Sequence, residues 1–501
     1  MKRVDWQNQD IRALAVIASL LISLVNFLFP GIPNDDAYVY FRTAEIFLSD
    51  GFTAASIHYS WPGYAVLLAI VSKLGISLHS SALLLNAMFY ALITWTFVSI
   101  VKLLSDSKLV VGLAALSILL YPELNEFRVM VIRDTGFWAL NLFALWQLML
   151  FLRSGKFSAA MWCTASLLFA ALFRLEATLY LVAVPLIAFL PFNSDSTHSL
   201  GKEAKWTLAA LIYGSLILAV LLSELLGIDV IFLALEFAST YVPFINNLLG
   251  HPENYALLSD QLSATHGEDI AEQFASVRDP ITLLSTLVAT LIAGISGAYI
   301  WLLLFGLAIR CWPARTSLPR EMLAWISINA ALVLGFLVLT GFLSSRYVMV
   351  LGLMMATQIP FIIAATLHST EDEALQKKMR IGLTLFLIFC FFDAHISFGR
   401  SRAYLQNSAD YLAAHVATGE EILTNNHSIA YASRLVEHYD QVSRTPEAER
   451  ILALSSGSYL ALELVPQVES MLDDVSLDEV LEFVTAFPTE AEPIVAIYRR
   501  Q

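Results

Sequence analysis

Two adjacent carboxylates, Asp35 and Asp36, stand directly after the first apolar run, in the stretch GIPNDDAYVYFRTAEIFLSDG. One of them can cap a helix N-terminus, where backbone N–H groups are unsatisfied and the helix dipole favours negative charge. Capping needs only one acid, and both lie where a lipid-borne substrate would present its head group. A second interval between apolar runs carries Glu123, Glu126 and Asp134 as further acids, flanked by Arg128 and Arg133. Arg174 and Arg346 fall at the ends of other apolar runs. A guanidinium suits phosphate because its planar fork donates two hydrogen bonds at once. The competing reading for each arginine is a side chain snorkelling out of the apolar layer, and Arg174-Leu175-Glu176 also fits a local ion pair. His58, His251, His266 and His427 have no metal-ligand spacing and read as loop residues.

The elements that must position these groups are apolar. The 501 residues are 57% hydrophobic and 14% charged, too little polar surface for a soluble protein of this size. The net charge of −14 excludes a basic nucleic-acid footprint. Cys163, Cys311 and Cys390 lie in or beside apolar runs and read as small buried hydrophobes. Apolar stretches fall at about 13–30, 82–101, 109–122, 135–152, 157–173, 177–192, 207–227, 284–309, 322–343, 347–367 and 381–398. Trp61–Ser77 is a twelfth run, short and interrupted by Pro62, Gly63, Lys73 and Gly75. If it does not cross, Lys102, Lys108, Arg153, Lys156, Lys202, Lys205, Arg310, Arg315, Arg320, Lys377, Lys378 and Arg380 all share the cytoplasmic side of Lys2 and Arg3. That rule selects an α-helical polytopic protein of about 11 transmembrane helices with a cytoplasmic N-terminus, and makes Trp61–Ser77 a juxtamembrane or re-entrant helix. The N-terminal run lacks a small-x-small cleavage site and reads as a retained anchor.

The outer face then receives a first loop (31–80), a large loop (228–283), and a soluble extracytoplasmic α/β domain (399–501) after a membrane domain of residues 1–398. In the first loop a helix is expected from Asn34 or Asp35 to about Ser49, ended by Gly51. Its stripe Ala37, Phe41, Ala44 and Leu48 suits a membrane surface. In the C-terminal domain EEILTNN, SYLALEL and PIVAIYRR read as strands, and SIAYASRLVEHY and DEVLEFVTAF as helices.

DDAYVYFRTAEIFLSDG after a first membrane helix resembles the first-loop acidic motif of the GT-C glycosyltransferases. The branch containing protein O-mannosyltransferases and the lipid A aminoarabinose transferase has an Asp followed by Asp or Glu, a Tyr three positions on, and a Gly a helix later. Asp35, Asp36, Tyr38 and Gly51 match. HYSWPGYAVLLAI stands where that branch has a Pro-containing juxtamembrane helix, YPELNEFRVMVIRDTGFWALNLFAL is similar to its second loop, and SSRYVMVL resembles its late Arg-Tyr. Trp61-Pro62 departs from the usual Pro-Pro or Pro-Leu, and Asp36 stands where many members have Glu. The resemblance implies an inverting transferase in the bacterial inner membrane. It would move a sugar from a polyprenyl-phosphate carrier to a glycan, lipid or protein acceptor at the outer face. It assigns Asp35 as the base, with Asp36 supporting it or the pair binding a divalent cation; no cofactor is otherwise implied. Adjacent carboxylates hinder each other's ionisation, which favours a base. Glu123, Glu126 or Asp134 would supply a second acid, Arg133, Arg346, Arg128 and Arg174 the phosphate contacts, and Tyr38, His58 and Tyr347 the substrate groove.

Two other classes fit less well. A lipid-linked glycan transporter or flippase predicts inverted repeats and midplane charges, and the sequence has neither. An O-antigen polymerase or ligase shares the large outer loop but leaves the Asp pair and the C-terminal domain unexplained.

Overall fold

The computed structural model describes residues 10–190, 201–248, 280–295, 297–308, 318–368, 372–396, 401–417, 420–473, 477 and 479–501. His251, His266, Cys311, Lys2, Arg3, Arg310, Arg315 and most of the large loop 228–283 lie outside the described residues. The chain divides into two compact units. One comprises Met1–Pro30, Asp50–Thr240 and Arg278–Ser397; the other comprises Gly31–Ser49, Tyr241–Val277 and Phe398–Gln501.

The first unit is helical. Each of the eleven apolar stretches falls on helix, but the described residues contain six helices long and apolar enough to cross a membrane. These are Ile11–Leu28, Leu78–Leu104, Asp134–Ser154, Lys202–Leu225, Arg320–Thr340 and Ser345–Leu367. The count rises to eight if two bent pairs, Lys108–Leu119 with Pro122–Val129 and Pro280–Gly294 with Gly297–Ala308, each make one span. Length accounts for part of the difference from eleven: Phe157–Phe173 has 17 residues and Ala177–Phe189 has 13 with Pro185 inside, the latter about 20 Å of helix against a hydrocarbon layer of about 30 Å. Glu373–His395, by contrast, has 23 residues but carries Lys377, Lys378, Arg380 and Asp393. The protein is a multi-pass membrane protein. Ser345–Leu367 is 83% buried within the protein and Asp134–Ser154 is 72%, whereas Ile11–Leu28 and Lys202–Leu225 are 17% buried. The first two form the centre, and the last two turn leucine, isoleucine and valine outward, as lipid requires.

Several polar side chains in this interior are paired, since hydrocarbon offers them no water. The Trp325 indole donates to Asn141 at 2.8 Å, Asn329 to the Tyr180 hydroxyl at 3.1 Å, and Tyr299 to the Ser117 carbonyl at 2.6 Å. Tyr121 donates to the Gly294 carbonyl at 2.5 Å, and a side chain at Gly352 would collide with both groups.

The run Trp61–Ser77 yields one helix, Gly63–Ser72, of 10 residues. It is about 15 Å long, half a bilayer's hydrocarbon depth. It packs on the end of Phe157–Phe173: the Trp61 indole donates to the Ala171 carbonyl at 2.8 Å, satisfying a helix-end acceptor. Gly63 lies so close that an added Cβ would sit 2.3 Å from the Leu172 carbonyl oxygen.

The second unit is built on a four-stranded sheet of order β1 (Ile422–Thr424), β2 (Tyr459–Glu463), β4 (Pro493–Arg500), β3 (Leu481–Pro488). β1 and β2 are parallel; the other pairs are antiparallel. Period-two alternation covers both faces. Ala461, Val495 and Ile497 pack with Leu405, Ala409 and Leu412 of the helix Ala403–His415, while Leu460 and Leu462 pack with Ile451, Val468 and Leu477. DEVLEFVTAF, expected as a helix, supplies strand β3 instead. Its Phe483 packs on Tyr498 across the β3–β4 pair, an aromatic cross-strand contact that helical propensity cannot outweigh.

Candidate active site

The helix Asp36–His58 carries the acid pair. Its backbone breaks at Gly51, where φ 86° and ψ −172° suit a residue without Cβ, so the expected end at Gly51 is a kink within a longer helix. The stripe expected on a membrane surface is instead largely internal. Ala37, Phe41 and Ala44 are fully buried, Phe41 packing on Tyr431 of the second unit at 5.4 Å, and only Leu48 remains exposed.

Tyr38, expected in a substrate groove, is likewise a core residue at 1% exposure. Its hydroxyl donates to Ser428 at 2.9 Å, and its ring lies among His427, Tyr431 and Tyr439. Burial raises its phenol well above the ordinary value. His427 opens the helix His427–Ser433 and its Nδ1 meets the Tyr439 carbonyl at 2.8 Å.

Asp35 holds the N-cap position of this helix, at its exposed end, and its Oδ2 accepts from Arg444 at 2.5 Å. Asp36 is the first helical residue and is half-buried. Arg42, nearly two turns further on, lies 3.5 Å from Glu45 and 3.8 Å from Glu437. Among the described residues no group of three or more His, Cys, Asp or Glu is gathered as a metal ligand set. One carboxylate of the pair, Asp35, is engaged by the Arg444 guanidinium.

The first unit gathers most of the other sequence-predicted groups. Arg174 follows the helix Phe157–Phe173, is 8% exposed, and bridges Asp134 at the start of Asp134–Ser154 and Glu176, 2.6 Å away. Burial alone would neutralise Glu176, but the Arg174 charge and hydrogen bonds outweigh it and hold the carboxyl down at about 2. Arg174 was expected on phosphate. Two carboxylates already neutralise it, so it is the centre of an internal clamp. Its guanidinium also faces the Tyr347 ring at 4.8 Å, and Arg346 lies over that ring at 5.2 Å. Tyr347 thus meets two guanidinium groups and packs on Phe336. Arg346 stands in the first turn of Ser345–Ala356, half-exposed. Glu123 bonds to the neighbouring Ser345 side chain. Arg133 precedes Asp134 and lies over Phe237 at 5.3 Å and Tyr59 at 5.7 Å. His58 ends the kinked helix, and Glu126 is exposed at the end of Pro122–Glu126.

Arg128, also expected on phosphate, is 2% exposed. It donates to Asn125 Oδ1 from two nitrogens, to Ser19 and to Ser23 at 2.7 Å, and its face covers Tyr90 at 4.1 Å. Its donors are spent on tying the segment after Pro122–Glu126 to the first helix. Arg128→Ala strands these buried acceptors, each costing about 1–3 kcal/mol. The variant should therefore melt earlier in detergent while its folded fraction binds donor normally. Unchanged melting with weakened donor binding would restore Arg128 to the phosphate site.

Arg444 was missed by sequence reasoning. It lies 409 positions from Asp35 in a polar turn with no local motif.

No family model matches the chain, and no curated protein does. Solved structures do. ArnT from Cupriavidus metallidurans in the apo state aligns at TM-score 0.54 and 10% identity over 97% of each chain. The same protein bound to undecaprenyl phosphate aligns at 0.54 and 12%, again over 97% of each. The archaeal oligosaccharyltransferase AglB from Archaeoglobus fulgidus, in complex with an inhibitory peptide and a dolichol-phosphate, aligns at 0.51 and 12% over 96% of this chain and 73% of its own. From the helical bundle to the C-terminal sheet, the chain has the fold of the GT-C glycosyltransferases.

Proposed function

We propose that the protein is an inverting glycosyltransferase that moves a sugar from a polyprenyl-phosphate carrier to an acceptor at the outer face of the bacterial inner membrane. The observation that carries this reading is the acid pair: in a chain of GT-C fold, Asp35 and Asp36 open a helix directly after the first apolar helix. Undecaprenyl phosphate in ArnT and dolichol-phosphate in AglB support a lipid-phosphate carrier by analogy of fold.

In the proposed step Asp35 takes the proton of the acceptor nucleophile as it attacks the anomeric carbon opposite the phosphate. The bond from that carbon to the phosphate oxygen breaks, inverting the centre, and the carrier phosphate leaves with the bonding pair. Asp36 supports the base through its charge. Arg346, half-exposed in the first turn of Ser345–Ala356, faces the departing phosphate, while Arg174 is engaged by Asp134 and Glu176. Arg133 is the second phosphate candidate, and Glu123 the second acid, Asp134 being held in the Arg174 clamp.

Cells lacking the protein should accumulate one polyprenyl-phosphate-linked sugar, which names the donor; unaltered lipid-linked sugar pools would count against the proposal. Orientation has its own test. Cysteines replacing the exposed Glu437 and Thr53 should react with a membrane-impermeant thiol reagent from outside, and one replacing Lys156 should not. Labelling of position 156 alone would invert the topology.

A further inference from the structure

The second unit places a guanidinium on the proposed base, and the way it is held is specific. Asn425, directly after β1, is 2% exposed and grips the chain on two sides. Its amide donates to the Arg444 carbonyl at 3.0 Å and to the Glu463 carbonyl at 2.9 Å, while its oxygen accepts from the Glu463 backbone at 2.7 Å. The Arg444 backbone is thereby tied to the ends of β1 and β2, and its side chain reaches Asp35 Oδ2 at 2.5 Å. On the other side, the helix bearing Asp35 is seated by Tyr38 on Ser428 and by Phe41 on Tyr431. Both partners are fixed at their backbones.

The ion pair itself adds little to stability. The side chains are 53% and 50% exposed, and ion pairs so wet contribute next to nothing to folding. A buried asparagine spent on anchoring such a pair is therefore better explained by what the pair does to the carboxylate.

We propose that Arg444, supplied by the C-terminal domain, is a positioning residue that clamps one oxygen of Asp35 and turns the other toward the acceptor nucleophile. This inference rests on the reading of Asp35 as the base. A carboxylate engaged through Oδ2 samples fewer rotational settings, so its remaining oxygen meets the nucleophile's proton with less of a search among rotamers. The charge also offsets the repulsion between Asp35 and Asp36 without consuming either acid.

The test is the kinetics of the full-length purified protein, with Arg444→Ala and Arg444→Lys compared against wild type and Asp35→Asn, and thermal unfolding measured on each. Arg444→Ala should lower kcat about tenfold, leave the donor KM unchanged and leave unfolding unchanged. Arg444→Lys should recover part of kcat, because an ammonium supplies charge but a looser geometry. A raised donor KM with kcat intact would overturn the proposal in favour of direct donor binding. Equal loss of thermal stability in both variants, with normal turnover per folded molecule, would make the pair structural. Wild-type kinetics in Arg444→Ala beside an inactive Asp35→Asn would sink this inference alone, whereas an active Asp35→Asn would sink the base assignment with it.

Discussion

If Asp35 is the base proposed above, Asp35→Asn should leave the protein expressed and membrane-inserted while sugar transfer falls by roughly 10²–10⁴-fold, the usual contribution of a positioned general base. The substitution is close to isosteric. Asparagine still serves at an N-cap and still accepts a hydrogen bond from Arg444, so the helix Asp36–His58 keeps its start. What it cannot do is take a proton. Asp36→Asn should be damaging but less so, because the neighbouring carboxylate acts through its charge alone. Turnover is measured at saturating donor and matched protein levels in detergent or proteoliposomes. Near-normal turnover in Asp35→Asn would remove the residue from the chemistry and leave it a helix cap.

On the proposed phosphate role, Arg346→Ala should slow turnover by about tenfold or more. A hydrogen bond to a charged partner is worth roughly 1.5–3 kcal/mol net, and the departing phosphate gains charge in the transition state. The geometry adds a reason absent from the sequence. Both the Arg346 and Arg174 guanidinium groups lie against the Tyr347 ring, and Arg174 is fixed by Asp134 and Glu176. Arg346 therefore projects from a rigid base. Lys should rescue part of the loss, supplying charge without the planar fork or the stacking on Tyr347. A merely interfacial arginine would tolerate Lys fully and Ala nearly so. Unchanged kinetics in Arg346→Ala would shift the phosphate role to Arg133.

The sequence made depth and residue type legible, and partners mostly illegible. Long apolar runs announce helices because hydrocarbon forces backbone hydrogen bonds inside the segment, and each of the eleven stretches falls on one. The same rule cannot say which runs have the length to cross, since bends and internal proline shorten them. The acid pair was readable at a helix start because capping is local. Arg128, Arg133, Arg174 and Arg346 looked alike in sequence, each beside an apolar run. Tertiary contacts separate them: Arg128 meets Ser19 and Ser23 across 105 or more positions, and Arg174 meets Asp134 across 40. The stripe Ala37, Phe41 and Ala44 was correctly apolar, but periodicity does not distinguish a membrane surface from Tyr431. β3 was misread because DEVLEFVTAF has helical spacing, and only its pairing with β4 fixes its conformation.

The central claim is chemical, and release of the carrier tests it most directly. Purified protein in proteoliposomes is given the polyprenyl-phosphate-linked sugar that accumulates in cells lacking it, together with a crude envelope acceptor fraction. Free polyprenyl phosphate should appear in step with glycosylated acceptor, the new glycosidic bond should have the anomeric configuration opposite to the donor's, and Asp35→Asn should release none. Sugar that crosses the bilayer still joined to its carrier phosphate, with no release in wild type, would contradict the account and make the protein a transporter.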